Sequence, residues 1–185
     1  EANKKYFGLI EGELNHLSAL VNTIQAMQLN SLDGIDDDQE NKFTIVSHVN
    51  SAQERWNLRL QQKQLNLTLS IPKGLCSLKL AISTQSLRQV FDNLLSNMYR
   101  YAKPDATCKI EMSREPQLQF IILKFSNETL EVNKDCLPYL FDRFYRVSKS
   151  RTRTQQESSM GLGLSIVKQL CLLNKGNVTA DLDGN

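Results

Sequence analysis

The sequence lacks any long apolar run: none exceeds four residues, and Phe120 to Leu123, a run of that length, is stopped by Lys124. A membrane-spanning helix needs about 20 apolar residues, so no such helix is predicted in this chain. The chain also has no large excess of charge of one sign, because its 22 Lys and Arg residues nearly balance its 20 Asp and Glu residues. A net charge of +2 gives no argument for nucleic-acid binding. With 41% hydrophobic residues in 185, the chain is instead typical of one globular domain plus an accessory element.

Cysteines are few and carry no metal signature. None of the four, Cys76, Cys108, Cys136 and Cys171, forms a C-x-x-C pair, so a zinc site is not expected. A chain of this length buries a core without disulfides, so we expect free buried thiols in a reducing compartment. Because it begins at Glu1 with no Met and no signal peptide, we also expect a piece of a longer protein.

The first segment has the period of a bundle helix. Its apolar residues recur at alternating steps of three and four, which is a heptad seam. A helix over 1–32 can pack on its own domain, but a strict seam favours a bundle between two subunits. The turn signal Asp33-Gly34 then predicts a linker over 33–41. The seam residues are Phe7, Ile10, Leu14, Leu17, Val21 and Ile24.

Residues 42–185 are predicted to form a second domain of mixed helices and strands. Helical periodicity and strict alternation follow one another without the regular βαβ order of a doubly wound fold. The predicted class is α+β, with helices on one face of a mixed sheet. The predicted helices cover about 45–60, 84–98, 134–144 and 162–174, and the predicted strands cover about 65–71, 78–82, 108–114, 118–125 and 178–182.

One polar cluster lies within the predicted helix around 84–98 and at its end. It consists of Asn93, Asn97, Arg100 and Tyr101. Steps of four, three and one place all of them near one side of a helix. An Asn carbonyl is a hard oxygen ligand for Mg²⁺, and Arg pairs with phosphate oxygens, so the cluster suits a metal–phosphate group. The polar outer face of an ordinary amphipathic helix gives the same pattern.

Two further clusters follow. Five basic residues lie within 143–153, next to the aromatic pair Phe144 and Tyr145, and fit either a phosphate-facing lid or a solvated loop. Gly161-Leu162-Gly163-Leu164 opens a predicted helix. Glycines allow a ligand to approach the backbone, and helix N–H groups favour phosphate, although a flexible helix entry has the same signature.

Together and in this order, the clusters resemble the catalytic region of two-component sensor histidine kinases. Asn93 to Asn97 resembles the family's N box, Phe141 to Phe144 its F box and Gly161 to Leu164 its second glycine box. The heptad helix resembles the second helix of the dimerisation and histidine-phosphotransfer bundle. The resemblance covers nearly the whole chain. It implies a helical-bundle segment followed by a two-layer α/β sandwich with a mixed sheet, the Bergerat ATP-binding fold.

The resemblance also implies roles for individual residues, with ATP and Mg²⁺ as the bound groups. Asn97 is the implied Mg²⁺ ligand, Asn93 stands near the phosphates and Arg100 contacts them. Tyr101 stacks near the adenine. The remaining implied ATP-binding residues are Asn127, Arg143, Arg146, Gly161, Leu162, Gly163 and Leu164.

The family's first glycine box, Asp-x-Gly-x-Gly, is altered. Counting fourteen residues back from Phe141 reaches Asn127, and Thr129 and Glu131 stand in place of the glycines. In the family, the Asp accepts a hydrogen bond from the adenine amino group. An Asn oxygen also accepts one, but without the charge. Thr and Glu take a positive φ only with strain, so the loop is expected to follow another path.

The family's phosphoacceptor motif, His-Glu/Asp-x-x-x-Pro, is absent. The two histidines, His16 and His48, lack the acid and the proline. We therefore expect the phosphoacceptor upstream of Glu1. By the same resemblance, we expect the last strand of the sheet after Asn185.

The resemblance implies a histidine kinase that phosphorylates a bundle histidine and passes the phosphoryl group to a response-regulator aspartate. The implied partners are a second copy of the chain, through the bundle helix, and a cognate response regulator, with no direct nucleic acid. The implied location is the cytoplasmic part of an inner- or plasma-membrane sensor. One alternative is a degenerate kinase that docks a response regulator and binds ATP weakly. Another is a different ATPase or serine kinase of this fold, such as an anti-sigma-factor kinase.

Overall fold

The computed structural model describes residues 44–78, 82–115, 120–129, 132–147 and 161–183. The predicted bundle helix over 1–32, the linker over 33–41 and most of the basic lid segment lie outside these ranges, as do Glu131 and the middle of the strand predicted at 78–82. The chain divides into two compact units, one holding the described residues up to Val132 and the other those from Asn133 onward. The domain boundaries predicted from the sequence stay a prediction.

Helix α1 spans Ile45–Gln62 and starts where the sequence predicts a helix. Thr44 caps it, because its hydroxyl accepts a hydrogen bond of 3.3 Å from the Ser47 amide. Its apolar residues recur with helical period, and the face that they form is buried. Its buried residues are Ile45, Val49, Ala52, Trp56 and Leu60.

Helix α2 spans Thr84–Tyr101 and carries the polar cluster. Ser83 caps it, because its Oγ accepts a hydrogen bond of 3.1 Å from the Ser86 amide. The apolar residues form one face, and Asn93 and Asn97 lie half-buried beside it. The residues that α2 buries are Ser86, Leu87, Val90, Phe91, Leu95 and Met98.

The first unit contains a three-stranded mixed sheet in the order β1–β2–β3. Strand β1 (Asn66–Ser70) runs parallel to β2 (Thr107–Glu115), which pairs antiparallel with β3 (Phe120–Ser126). A parallel pair needs a long crossover, and α2 lies in the connection between β1 and β2. The predicted α+β class is therefore confirmed, and β2 and β3 form the antiparallel hairpin of the sheet.

One hydrophobic core joins α1, α2 and the sheet of the first unit. Phe91 of α2 is fully buried, and its ring lies 5.4 Å from that of Phe125 on β3, measured between centroids. Burying a side chain of this size contributes about 1.5–3 kcal/mol. The core thus fixes the helix that carries Asn93 and Asn97 against the sheet.

The second unit is mainly helical where it is described. Helix α3 spans Gly163–Leu173, as predicted, and buries Val167 and Leu170. The helix predicted over 134–144 is wrong: the segment is a 3₁₀-helix over Lys134–Tyr139, and Pro138 inside it has no amide to donate. The strand predicted over 178–182 is not formed among the described residues. Burial still alternates there, but the segment has no ladder partner in the described residues.

All four cysteines lie in the described residues and are free. Cys108 is buried, as predicted, and burial raises the pKa of its thiol. Cys76 is exposed, so the prediction of a buried thiol is wrong there. No helix in the described ranges is both long and apolar enough to cross a membrane.

Candidate functional site

The asparagines of the predicted site lie on one helix face. Asn93 and Asn97 are one helical turn apart on α2, and both are half-buried. The Asn93 Nδ2 donates a 2.8 Å hydrogen bond to the carbonyl of Gln89, one turn earlier. This bond fixes the Asn93 amide and leaves its oxygen as an acceptor.

The C-terminal turn of α2 is held by a lysine from the end of α1. The Lys63 Nζ donates to the carbonyls of Tyr99 and Arg100, at 2.5 and 3.2 Å, and lies 4.9 Å from the Tyr99 ring centroid. An ammonium at this end satisfies carbonyls that the helix leaves unpaired and complements its dipole. Lys63 therefore fixes the turn that carries Arg100 and Tyr101, both half-buried. No sequence pattern pointed to it.

Asn127 lies one residue beyond the end of β3, in the altered glycine box. It is half-buried, and its Nδ2 donates to the carbonyl of Glu128 at 3.2 Å. The same carbonyl accepts from the Lys103 amide at 3.0 Å. The loop that follows β3 is thus tied to the turn that follows α2, within the first unit.

The second unit brings the F box and the second glycine box together. The Phe144 amide donates to the Gly161 carbonyl at 3.0 Å. Gly161 has a φ of 71°, and a Cβ placed there lies 2.6 Å from the Tyr145 carbonyl oxygen. Glycine is required here because a side chain would overlap the backbone and strain the left-handed conformation.

The N-terminus of α3 follows directly. Leu162 is its N-cap residue and makes no side-chain capping hydrogen bond. The first amides of α3, from Gly163 and Leu164 onward, therefore have no side-chain cap to accept from them. A helix N-terminus of this kind suits an anionic group, through its amides and its dipole.

The two arginines of the predicted lid base are both exposed. Arg143 lies in a shallow groove beside α3, and its Nη2 is 3.4 Å from the Gln169 oxygen. Nearby, a hydrogen bond with Cys136 raises the pKa of the Tyr145 hydroxyl. Arg146 follows directly after this tyrosine. No sequence pattern pointed to Gln169 or to a role for Cys136.

The described residues fit magnesium only together with a nucleotide. In the described ranges, no group of three or more His, Cys, Asp or Glu side chains is placed to hold a metal ion. Mg²⁺ is commonly bound through substrate phosphates, water and one or two oxygen ligands. The half-buried amide of Asn97 is a suitable oxygen donor of that kind.

A family model described as "Histidine kinase-, DNA gyrase B-, and HSP90-like ATPase" matches residues 83–184. The match covers more than half of the chain and includes α2, the sheet hairpin and α3. The chain belongs to this family of ATP-binding domains.

Individual proteins that are similar to this chain are consistent with the family assignment. The chain is 28% identical over 180 residues to the sensor histidine kinase WalK of Bacillus subtilis, covering 96% of this chain and 28% of WalK. Among solved structures it is similar to the histidine kinase AdeS of Acinetobacter baumannii, with a TM-score of 0.58 and 20% identity over 90% of this chain and 72% of that one. It is also similar to full-length ShkA in complex with AMPPNP, with a TM-score of 0.54 and 18% identity over 94% of this chain and 34% of that one. The chain spans less than half the length of the curated relatives it matches.

Proposed function

We propose that this chain is the ATP-binding catalytic region of a sensor histidine kinase. The observation that carries the proposal is the row of Asn93, Asn97 and Arg100 along α2, in a domain of this family. A polar row on a surface helix is by itself unremarkable. Its two amides are half-buried, and the helix is fixed by the core on one side and by Lys63 at its end.

Within the first unit, Asn97 holds Mg²⁺ through its amide oxygen and Arg100 pairs with phosphate oxygens. When bound, the ion neutralises charge on the phosphates and orients them. Tyr101 stacks on the adenine, and the Asn127 oxygen accepts from the adenine amino group. Both residues lie next to the contacts that tie the loop after β3 to the turn after α2.

Asn93 has a further consequence for the reaction. An amide oxygen is too weak a base to take a proton from water, so Asn93 does not activate water for attack on the γ-phosphorus. The bond to the Gln89 carbonyl keeps the amide in place. This arrangement suits an enzyme that preserves ATP for transfer to a side chain.

In the second unit, the first amides of α3 and the backbone at Gly161 and Gly163 contact the phosphates, together with Leu162 and Leu164. Arg143 and Arg146 form the base of a lid. Their exposure agrees with a role that is completed only when nucleotide is present.

The proposed reaction transfers the γ-phosphoryl group to a histidine outside the described residues. The bridging bond to the γ-phosphorus breaks, ADP leaves with the bonding pair, and a P–N bond forms on the imidazole. A response-regulator aspartate then receives the group. The proposed partners are a second copy of the chain, through the bundle helix, and that regulator. The proposed location is the cytoplasmic part of a membrane sensor.

The first experiment is a titration of the chain with ATP by calorimetry, with Mg²⁺ and with EDTA. Asn97→Ala is expected to weaken Mg-ATP binding by about tenfold or more, as for loss of a contact to a charged group. It is also expected to abolish the difference between Mg²⁺ and EDTA. Arg100→Ala is expected to weaken binding under both conditions, because phosphate pairing does not need the metal.

The matched control is Asn57→Ala, which removes an exposed amide on α1. It is expected to leave the affinity unchanged. Absence of binding at several millimolar ATP, by a chain that melts cooperatively, contradicts the proposal and favours a non-catalytic docking module. Equal binding by the wild type and Asn97→Ala contradicts the assignment of the Mg²⁺ ligand.

The transfer reaction is tested on the full-length protein with γ-labelled ATP. Label stable to base and labile to acid is expected on the protein, as for phosphohistidine, and it should be lost in Asn97→Ala. Addition of the cognate response regulator should move the label to that partner. Hydrolysis of ATP to free phosphate without labelling of the protein would favour a different ATPase.

A further inference from the structure

One glutamate ties the altered glycine box to the end of the N-box helix. The carbonyl of Glu128 accepts from the Lys103 amide at 3.0 Å and from the Asn127 Nδ2 at 3.2 Å. Its carboxylate Oε2 lies 3.2 Å from the Lys103 Nζ. Lys103 thus holds both the backbone and the side chain of Glu128. We call Lys103 and Glu128 the loop clamp.

The clamp determines which way the Asn127 amide faces. An oxygen turned toward the Glu128 carbonyl would place two acceptors against each other, whereas the Nδ2 finds an acceptor there. The Asn127 amide therefore donates one of its N–H groups to the backbone. With the Nδ2 turned toward the backbone, the Oδ1 remains an acceptor on the other side of the amide.

The position of Lys103 is itself fixed. Lys103 starts a tight turn with Pro104 and with Asp105 at a φ of 61°, and the Ala106 amide closes it by donating to the Lys103 carbonyl at 3.2 Å. Proline followed by a residue with positive φ is the pattern of a type II turn. Because the turn fixes Lys103, its amide offers Glu128 a stationary donor.

We propose that Lys103 and Glu128 are positioning residues that make the chain select a 6-aminopurine nucleotide over a 6-oxopurine nucleotide. They act through Asn127, whose orientation they set. A carboxylate at this position offers an acceptor whichever way it turns, but an amide must be held to do so. The inference rests on the proposed function, in which Asn127 accepts from the adenine amino group.

The test compares the affinities of Mg-ATP and Mg-inosine triphosphate, which carries an oxygen in place of the 6-amino group. Lys103→Pro removes both the amide donor and the ammonium. The preceding Ala102 already has the extended ψ of 143° that a following proline requires. We expect the preference for ATP over inosine triphosphate to fall about threefold to tenfold, the loss that one misplaced hydrogen bond causes.

Two further variants separate the parts of the clamp. Lys103→Met removes only the exposed ion pair, so a smaller fall in the same direction is expected. If Lys103→Pro lowers the folded fraction, the nucleotide preference can still be tested with Lys103→Met. Lys109→Met is the matched control, since Lys109 is an exposed lysine on β2, and it should leave the preference unchanged. Folding of each variant is checked by circular dichroism.

The deciding comparison repeats the clamp variants in an Asn127→Asp background. If the clamp acts by orienting the amide, it has no effect on the preference there, because a carboxylate presents an acceptor in either orientation. Equal losses in the two backgrounds overturn the inference and indicate a purely structural role. A wild type that binds both nucleotides equally also overturns it, and leaves the proposed function standing. A wild type that binds neither overturns both.

Discussion

The indole Nε1 of Trp56 on α1 donates a 2.9 Å hydrogen bond to the Oδ1 of Asp92 on α2. The same oxygen accepts from the Arg55 Nη2 at 3.0 Å, and the Arg88 Nε lies 3.6 Å from the Oδ2. Asp92 directly precedes Asn93. A single carboxylate thus holds the helix of the candidate asparagines to its neighbour.

Replacing Asp92 is expected to loosen the contact between these two helices. Asp92→Ala removes the acceptor of the Trp56 N–H. Because Trp56 is only 8% exposed, the free energy of unfolding should fall by about 1–3 kcal/mol. Urea unfolding followed by fluorescence is suitable, because Trp56 is the chain's single tryptophan. Asp92→Asn keeps an acceptor oxygen and should lose less. An unchanged midpoint for Asp92→Ala would mean that this bond does not stabilise the fold.

Gly161 is expected to tolerate no side chain. In Gly161→Ala the added Cβ meets the Tyr145 carbonyl at 2.6 Å, at a φ of 71°, so stability should fall by more than about 1–2 kcal/mol. Gly74→Ala is the matched control: its Cβ meets nothing within 4 Å, and a gain of about 0.4–1 kcal/mol is expected. Thermal melts of both variants check the opposite signs. Equal losses would indicate that the close approach at Gly161 is not what matters.

The helices and strands of the first unit were largely predictable from local signals. A cap at Ser83 and an apolar period place α2, and alternation places β2 and β3. The helix predicted over 134–144 is a 3₁₀-helix over Lys134–Tyr139 instead, and its local cause is Pro138, which has no amide to donate. A proline inside a predicted helix removes one backbone donor, and this loss disfavours a regular α-helix at that point.

The candidate site was predictable as motifs but not as contacts. Asn97 and Gly161 are found by their spacing in sequence. Lys103 and Glu128 meet across 25 residues, and their pairing leaves no periodic trace. Such links depend on how two elements end near one another, and a one-dimensional pattern does not record that.

His48 is expected to make stability depend on pH. Burial, and then the charge of Arg55, hold its pKa below the ordinary value. Below about pH 6.5 the unfolded chain therefore binds a proton that the folded chain resists, so the free energy of unfolding should fall as the pH drops from 7 toward 5. Urea titrations across this range, with His48→Gln beside the wild type, check the sign. A variant that keeps the full slope would assign it to other groups.

Helix α3 ends in a motif that its sequence fits imperfectly. The Gly176 amide donates to the Cys171 carbonyl at 2.8 Å and the Lys175 amide to that of Leu172 at 3.1 Å, which is a Schellman ending. Its left-handed residue is Lys175, at a φ of 58°, whereas the glycine comes one position later. Lys175→Gly relieves the strain but loses a cation at the helix C-terminus, so a net gain of about 0.5–1 kcal/mol is expected in chemical unfolding. Lys175→Ala separates the two contributions, because it removes the charge and keeps the strain, and it should be less stable than the wild type. If Lys175→Gly is also less stable than the wild type, the charge outweighs the backbone conformation.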